Sequence, residues 1–290
     1  MKVDLAMWTK NGESTLPKVL KRIDEAIPHE VVCHKILVDD HSTDSTREIA
    51  KEFNWNVYPN PKTGIPSGAN EALRHVDCEF FISFEQDLLL AYDWWNKIPS
   101  YMENPKVAVA SGMRFASQPK GITKLQQYVA KKYRGESVLS PWLRSREMSA
   151  FTLGKTLDNT IYRTQVLRSI GGFPKMRTNA GVDTVLAYKI KDAGYMWVVD
   201  YNVQSVHLRK GLMEELHHQY SYGTQLREIW CQIEKQSTAK PPVSRFGVIS
   251  RLFYSPFSGI FVAFKTKEPS IVYIHPLVRF YYAKGLLEGT

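Results

Sequence analysis

Two clusters of acidic residues follow short apolar runs: Glu85-Gln86-Asp87 comes after Phe80–Phe84, and Asp39-Asp40 after Ile36-Leu37-Val38. In extended geometry positions i and i+2 point the same way, so Glu85 and Asp87 can face one cation. Hard divalent ions such as Mg²⁺ or Mn²⁺ take carboxylate oxygens together with substrate phosphates and leave other positions to water. Asp39-Asp40 runs into His41-Ser42-Thr43-Asp44-Ser45-Thr46, a stretch of hydroxyls and carboxylates. Adjacent carboxylates at such a strand end can accept hydrogen bonds from a ribose or a base N–H. Each cluster also has a plainer explanation. A Glu-x-Asp pair can be a solvated strand end, and Ser42, Thr43 or Asp44 can simply cap a helix.

The surrounding pattern supplies the elements that would position these acids. Val3–Met7 is a short apolar run, and Ser14 or Thr15 then caps a helix with Leu16, Leu20, Ile23 and Ile27 at helical spacing. Thr43–Phe53 reads as a helix, Trp55–Tyr58 as a strand, Pro66–Val76 as a helix, and Glu79–Phe84 and Val107–Phe115 as strands. Such alternation predicts a largely parallel sheet covered by helices on both faces, with ligands beyond the carboxyl ends of its strands. Further on, Thr160–Ile170 reads as a helix stopped by Gly171-Gly172. Asp183–Ala193 reads as a helix stopped at Gly194, Tyr195–Val199 as a strand and Leu212–Ile233 as a long helix. Residues 117–150 are basic and aromatic with little periodicity, and Gln236–Ser244, with Pro241-Pro242, looks like a linker. The apolar stretches Phe246–Phe264 and Ile271–Tyr282 carry Arg251 and Pro256, and His275, Pro276 and Arg279. Neither is a clean spanning helix; their mixture of aromatics and basic residues suits a bilayer interface, and also an ordinary core helix or a dimer contact.

The 290 residues are 43% hydrophobic and 23% charged, which fits a globular protein and excludes a disordered one. The net charge of +9 is unevenly spread. Residues 1–116 hold 13 basic and 17 acidic side chains, a net of −4, whereas residues 117–170 hold 10 and 3, and residues 205–290 hold 11 and 6. An acidic first half suits a metal cation, and a basic second half suits an anionic surface. Basic residues that merely solvate helix faces would give the same figures. The basic patches carry neither an RNA-recognition motif nor a helix-turn-helix pattern, so no nucleic-acid partner is expected. Cys33, Cys78 and Cys231 form no close pair in sequence, which argues against a disulfide scaffold or a cysteine-based zinc site and suggests a reducing compartment. Met1-Lys2-Val3-Asp4 runs straight into a strand, so no signal peptide is expected.

Taken in order, several segments resemble the family 2 inverting nucleotide-sugar glycosyltransferases. They are Thr9-Lys10-Asn11-Gly12-Glu13, Val38-Asp39-Asp40-His41-Ser42-Thr43-Asp44-Ser45-Thr46, Gly64–Leu73 and Phe84-Glu85-Gln86-Asp87. Tyr162-Arg163, Gly171-Gly172-Phe173, Gly181-Val182-Asp183, Asp192-Ala193-Gly194-Tyr195 and His207 continue the series, which covers about residues 1–230. The resemblance implies a GT-A, Rossmann-like α/β fold: a mixed, mostly parallel sheet flanked by helices, here with a C-terminal amphipathic extension. It implies a transferase domain over 1–235, with a nucleotide-sugar and metal half at 1–116 and an acceptor half at 117–235. Residues 236–290 would be the linker and a membrane-interface segment. Thr9, Glu13 and Asp40 would contact the nucleoside with Asp39 supporting them, and Ser67, Asn70 and Gln86 would complete the donor contacts. Asp87, Glu85 and His207 would hold Mn²⁺ or Mg²⁺, and Asp183 would be the catalytic base. Three features depart from the family pattern: Glu85 replaces its first Asp, Val182 stands where an acid often precedes the base, and Gln225–Trp230 lacks the Gln-x-x-Arg-Trp signature of processive members.

The resemblance implies inverting transfer from a UDP- or GDP-sugar, and the missing processive signature suggests transfer of one sugar. The basic, aromatic stretch 117–150 and the C-terminal apolar segments suggest a membrane-associated acceptor such as a polyprenyl phosphate or a lipid-linked saccharide. The enzyme would then sit peripherally on the cytoplasmic face of a membrane. The competing expectations are a soluble transferase acting on a glycan or protein, with its C-terminal segments packed as a dimer, or a non-catalytic nucleotide-binding scaffold. Nucleotidyl transfer fits less well, because Met7–Glu13 has one glycine and no Arg for a phosphate loop. A response-regulator receiver would place its Asp pair after the first strand, not the second.

Overall fold

The structure, a computed structural model, describes residues 1–134, 153–208, 211–236 and 245–289. Two compact units emerge: Met1–Arg114 with Gly154–Leu208, and Phe115–Leu153 with Arg209–Thr290. The expected linker and most of the basic stretch beyond residue 134 lie outside the described residues.

In the first unit, strands β1 (Val3–Thr9), β2 (Val32–Asp39), β3 (Asn56–Pro59) and β4 (Phe80–Phe84) alternate with helices α1 (Leu16–Ala26), α2 (Thr46–Glu52) and α3 (Ile65–His75). All seven residues of β1 are buried, as expected of a central strand covered on both faces. It pairs in parallel with β2 on one side and β4 on the other. Helix α1 places Leu16, Val19, Leu20 and Ile23 on one buried face, where they join Val3, Leu5, Met7 and Leu37 in the main core. A two-residue strand β5 (Leu88–Leu89), the short helix α4 (Trp94–Lys97) and β6 (Val107–Ala116) follow. The eight-stranded sheet is completed by β7 (Thr160–Arg163) and β8 (Met196–His207), in the order β3-β2-β1-β4-β7-β6-β8-β5. Strand β7 runs antiparallel to β4 and β6, and β5 antiparallel to β8, so the sheet is mixed.

Two expectations change. Thr160–Ile170 is not one helix: Thr160–Arg163 pair across the sheet as β7, and only Thr164–Ser169 (α6) is helical. Thr, Ile and Tyr are residues that favour a pleated surface, and pairing on both edges decides their state. In the second unit, Lys120–Arg134 forms helix α5 where little periodicity was legible. Helix α7 (Val182–Asp192) belongs to the first unit. The second unit is built from α5, α8 (Leu212–Gln236), α9 (Arg245–Thr266) and α10 (Ile271–Glu288). Leu125 of α5, Val262 and Ala263 of α9, and Ile271 of α10 form one of its cores. Gly223 of α8 and Gly285 of α10 lie where a Cβ would strike the facing backbone at Tyr282 and Tyr220, so these two helices meet backbone to backbone. No helix among the described residues is long and apolar enough to cross a membrane.

Candidate active site

The ends of β1, β2 and β4 open into a cleft of about 240 Å³ lined by Trp8, Thr9, Lys10, Asp40, Asn60, Gly64, Ile65, Glu85, Gln86, Asp87 and Asn179. This is where an open α/β sheet binds ligands.

At the β2 end the carboxylates organise their own loops. Asp39 is buried and accepts the Ser42 backbone N–H at 3.2 Å, closing the turn after the strand. Asp40 accepts the Asn60 side-chain amide at 2.9 Å and the Gly64 backbone N–H at 3.1 Å, with the Lys10 ammonium 3.9 Å away. Glu13 accepts the Ser45 N–H at the start of α2, while Asp44 accepts the Glu13 N–H and the Thr46 N–H. Of the expected caps, Asp44 accepts an N–H at the start of α2, joined by Glu13 from the β1–α1 loop, while Ser45 at the N-cap position makes no side-chain cap bond. Gly64, at φ +89°, starts α3, and a Cβ there would come within 2.5 Å of the Asn179 side-chain oxygen, which accepts the Ile65 N–H at 2.9 Å. Ser67 is half-buried in the first turn of α3. Asn70 points elsewhere in the first unit: its side chain donates to the Pro66 and Phe173 carbonyls and accepts the Phe173 N–H.

At the β4 end the acids converge. Glu85, Gln86 and Asp87 stand in a turn, not in the strand, closed by a Leu88 N–H to Glu85 carbonyl bond of 3.3 Å. The turn brings the carboxylates together without strand alternation. Glu85, Asp87 and His207 each offer a ligand atom within 4.8 Å of the others'. His207 comes from the end of β8, which pairs with β5 immediately after the acids through Leu88 and His207. Its Nε2 lies 3.4 Å from Asp87 Oδ1 and 3.6 Å from Glu85 Oε2. The ring is buried, and its Nδ1 has no hydrogen-bond partner among the described residues. Two carboxylates and one imidazole form a donor set that fits a small divalent cation. Gln86 sits between the two acids but faces β1: its side-chain oxygen accepts from Thr9 Oγ1 and the Lys10 N–H, and its amide donates to the Lys10 carbonyl.

Behind the acids lies a network that was not legible as such in the sequence. Arg114, near the end of β6, donates to Glu85 Oε2 at 3.1 Å and to fully buried Asp158 at 2.6 Å. Burial works against the Arg114 charge, but the Asp158 and Glu85 carboxylates more than offset it and raise its affinity for the proton. Asp183 stands in the first turn of α7 with its Oδ1 accepting the Thr184 N–H at 2.6 Å. Burial pushes its carboxyl up to about 6, against the opposing pull of the Arg114 cation and the Thr184 N–H. A carboxylate held near neutrality by desolvation is the type of group that serves as a general base. Arg114 follows the same strand-end rule as the acids, and Asn60 follows β3 as Asp40 follows β2; that rule was the available signal. Asn179 and Asp158 lie in irregular segments and gave none.

The sequence from residue 4 to residue 170 matches the glycosyl transferase family 2 model, which is more than half of the chain. The chain belongs to glycosyl transferase family 2. This family 2 glycosyltransferase matches no curated protein sequence. Its fold resembles a mannosyltransferase from Pyrobaculum calidifontis solved with GDP-mannose and Mn²⁺, at 17% identity and a TM-score of 0.64 over 100% of this chain and 76% of that one. It also resembles glucosyl-3-phosphoglycerate synthase from Mycobacterium tuberculosis solved with Mn²⁺, UDP and glucosyl-3-phosphoglycerate (15%, TM-score 0.58, 83% and 81% covered). A third likeness is to residues 1–349 of Staphylococcus aureus TarS with UDP-GlcNAc (15%, TM-score 0.53, 99% and 91% covered). These likenesses establish the GT-A architecture expected from the ordered motifs.

Proposed function

We propose that this glycosyltransferase moves a single sugar, with inversion and with the help of a divalent metal, from a UDP- or GDP-sugar to a lipid-linked acceptor at a membrane surface. The observation that carries the reading is the convergence of Glu85, Asp87 and His207 beside a cleft lined by Thr9 and Asp40. The nucleotide and metal complexes of the Pyrobaculum and mycobacterial enzymes support a nucleoside-diphosphate donor and a Mn²⁺ or Mg²⁺ cofactor.

Asp87 and His207 would be the principal metal ligands. Glu85, one atom longer than the family's usual Asp and held by Arg114, reaches the same point from the side. A divalent cation bound there supplies charge to offset that building on the leaving diphosphate. The chain's own residues do the rest. Asp40, Asn60 and Gly64 fix the loop against which the nucleoside lies, and Gln86 ties the metal turn to the end of β1. Asp183 takes the proton from an incoming hydroxyl as its oxygen bonds to the anomeric carbon and the bond to the diphosphate breaks on the opposite face. Arg114 keeps positive charge beside Glu85 and Asp183, so the acids can stay ionised together.

The membrane part of the reading rests on α9. Phe253, Phe257, Ile260, Phe261 and Phe264 recur at helical spacing and are all more than half exposed, Phe264 at 83%. Val262 and Ala263, on the other side, pack against α5 and α10. Lys265 and Lys267 follow at the helix end. An apolar face edged by cations suits peripheral attachment to an anionic leaflet. The test is calorimetric titration of the protein with UDP, GDP and CMP, with and without Mn²⁺, followed by sedimentation with anionic liposomes. Metal-dependent binding of one diphosphate is expected, as is liposome binding that a Phe257→Asp/Phe264→Asp variant loses while its nucleotide affinity stays intact. Failure of all three nucleotides to bind would remove the transferase reading. Liposome binding equal to wild type in the variant would remove the membrane part alone.

A further inference from the structure

At the other ends of the same strands lies a cluster that donor chemistry does not use. Asp4 near the start of β1, Cys33 near the start of β2 and Cys78 just ahead of β4 bring an oxygen and two sulfurs within 4.8 Å of one another. The register accounts for the meeting. Val3 pairs with Val32 on one side and with Phe80 on the other, so residues just inside β2 and just before β4 flank the same point of β1. The two cysteines, separated by a whole helix-strand-helix passage in sequence, are thus neighbours in space. They remain far apart in sequence, and the sheet register alone brings them together.

The cluster resembles a soft-metal site, but its hydrogen bonds argue against one. Asp4 is fully buried, and its Oδ1 accepts the His34 backbone N–H at 3.1 Å and the His34 ring Nδ1–H at 2.9 Å. Its Oδ2 accepts the Asp77 and Cys78 N–H groups at 2.7 and 2.8 Å. Four donors fill the roughly four lone-pair positions of a carboxylate. Asp4 therefore ties the strand starts together and has no free lone pair to offer. That leaves two sulfurs, fewer than the four protein ligands of a structural zinc site.

Cys33 is exposed and Cys78 half-buried. One accessible sulfur beside one sheltered sulfur is the arrangement of an attacking and a resolving thiol. We propose that Cys33 and Cys78 are a redox-active pair that closes to an intramolecular disulfide by exchange with a small-molecule disulfide. The Cys33 thiolate attacks one sulfur of that molecule, its S–S bond breaks, and one thiolate leaves and takes up a proton. Cys78, on losing its proton to solvent, attacks the Cys33 sulfur of the mixed disulfide and expels the second small thiol. Two protein thiols are oxidised and one small disulfide is reduced to two thiols. Burial, the adjacent Cys33 and the Asp4 charge push the Cys78 thiol up to about 12. This makes Cys33 the first to react, and the disulfide removes an ionisable group from the field of Asp4. The bond would tie the start of β2 to the turn before β4, across β1.

The experiment incubates the full chain with oxidised glutathione and then alkylates, digests and maps it without reduction. A Cys33–Cys78 linked peptide, lighter by two hydrogens than its parts and free of glutathione, is expected, together with a higher melting temperature. The link should form equally in a Cys231→Ser variant. In Cys33→Ser no link should form, Cys78 should stay reduced, and the melting temperature should not respond to glutathione. A stable glutathione adduct on Cys33 with Cys78 still free, or two unmodified thiols, would overturn the proposal.

Discussion

The two acidic strand ends look alike in sequence and do different work. After β2, Asp39 and Asp40 accept hydrogen bonds from Ser42, Asn60 and Gly64, so their charge is used to shape loops. After β4, Glu85 and Asp87 are drawn together with His207, and a cation, Arg114, stands behind them. Like charges gathered at a few ångströms repel unless something positive joins them. At the β2 end backbone and amide N–H groups supply most of the direct contacts, with the Lys10 and Arg47 cations each 3.9 Å from a carboxylate. At the β4 end the Arg114 cation stands beside Glu85, and the two carboxylates and His207 form a donor set that fits a divalent cation. The two clusters thus differ in geometry: the carboxylates after β4 face one another, whereas those after β2 face loop donors, with Asp40 on the wall of the same cleft.

The largest expected effect lies at Asp183, which belongs to neither cluster but feels the second. Asp183→Asn keeps the shape and removes the proton acceptor. Transfer to a hydroxyl acceptor should fall by about 10²–10⁴-fold in kcat with donor affinity unchanged, measured by product formation alongside nucleotide titration. Retained activity would take the base role away from Asp183. The same residue sets a pH dependence. With its carboxyl pushed up to about 6 by burial, the base is ionised above that pH and takes up a proton below it. The kcat of the wild type should therefore fall about tenfold per unit below pH 6 and level off above it, and the residual rate of Asp183→Asn should lack that limb. The next effect belongs to the converging acids. Asp87→Ala should weaken Mn²⁺-dependent nucleotide binding by about 10–100-fold or more and leave metal-free binding alone. Equal losses with and without metal would mean that Asp87 acts on the loop, as Asp40 does, and the contrast between the two strand ends would disappear.

Much of this was legible because local signals and sheet position agreed. Apolar runs ending in acids located β2 and β4, and helical spacing located α1, α3 and α8. What was not legible depended on pairing between distant segments. Thr160–Arg163 reads as the first turn of a helix until β4 and β6 take its edges. Arg114 and Asp158 meet Glu85 from elements far apart in the chain, and Asn179 reaches α3 across more than a hundred residues. Cys33 and Cys78 meet because both flank β1, a fact of register that their spacing does not encode. Even the geometry of Glu85 and Asp87 came from a turn and not from strand alternation, although the outcome, two carboxylates at one point, was the same.

The smallest effect, and the sharpest on the β2 side, is at Asp40. Asp40→Asn leaves one carbonyl oxygen where two oxygens served Asn60 and Gly64, and turns an N–H₂ toward one of those donors. Losing a partly buried hydrogen bond and setting donor against donor costs about 1–3 kcal/mol. The variant should therefore unfold at lower denaturant concentration with no nucleotide present. Its nucleotide affinity should fall only as far as the misplaced 60–65 loop dictates. If Asp40 is instead mainly a ligand to the donor, the two readouts exchange places: stability without nucleotide stays at the wild-type value, and affinity alone drops. Denaturation of Asp40→Asn beside Asn60→Ala and the double variant decides it, because an Asp40 that acts by holding Asn60 leaves the double variant little worse than the more damaging single one.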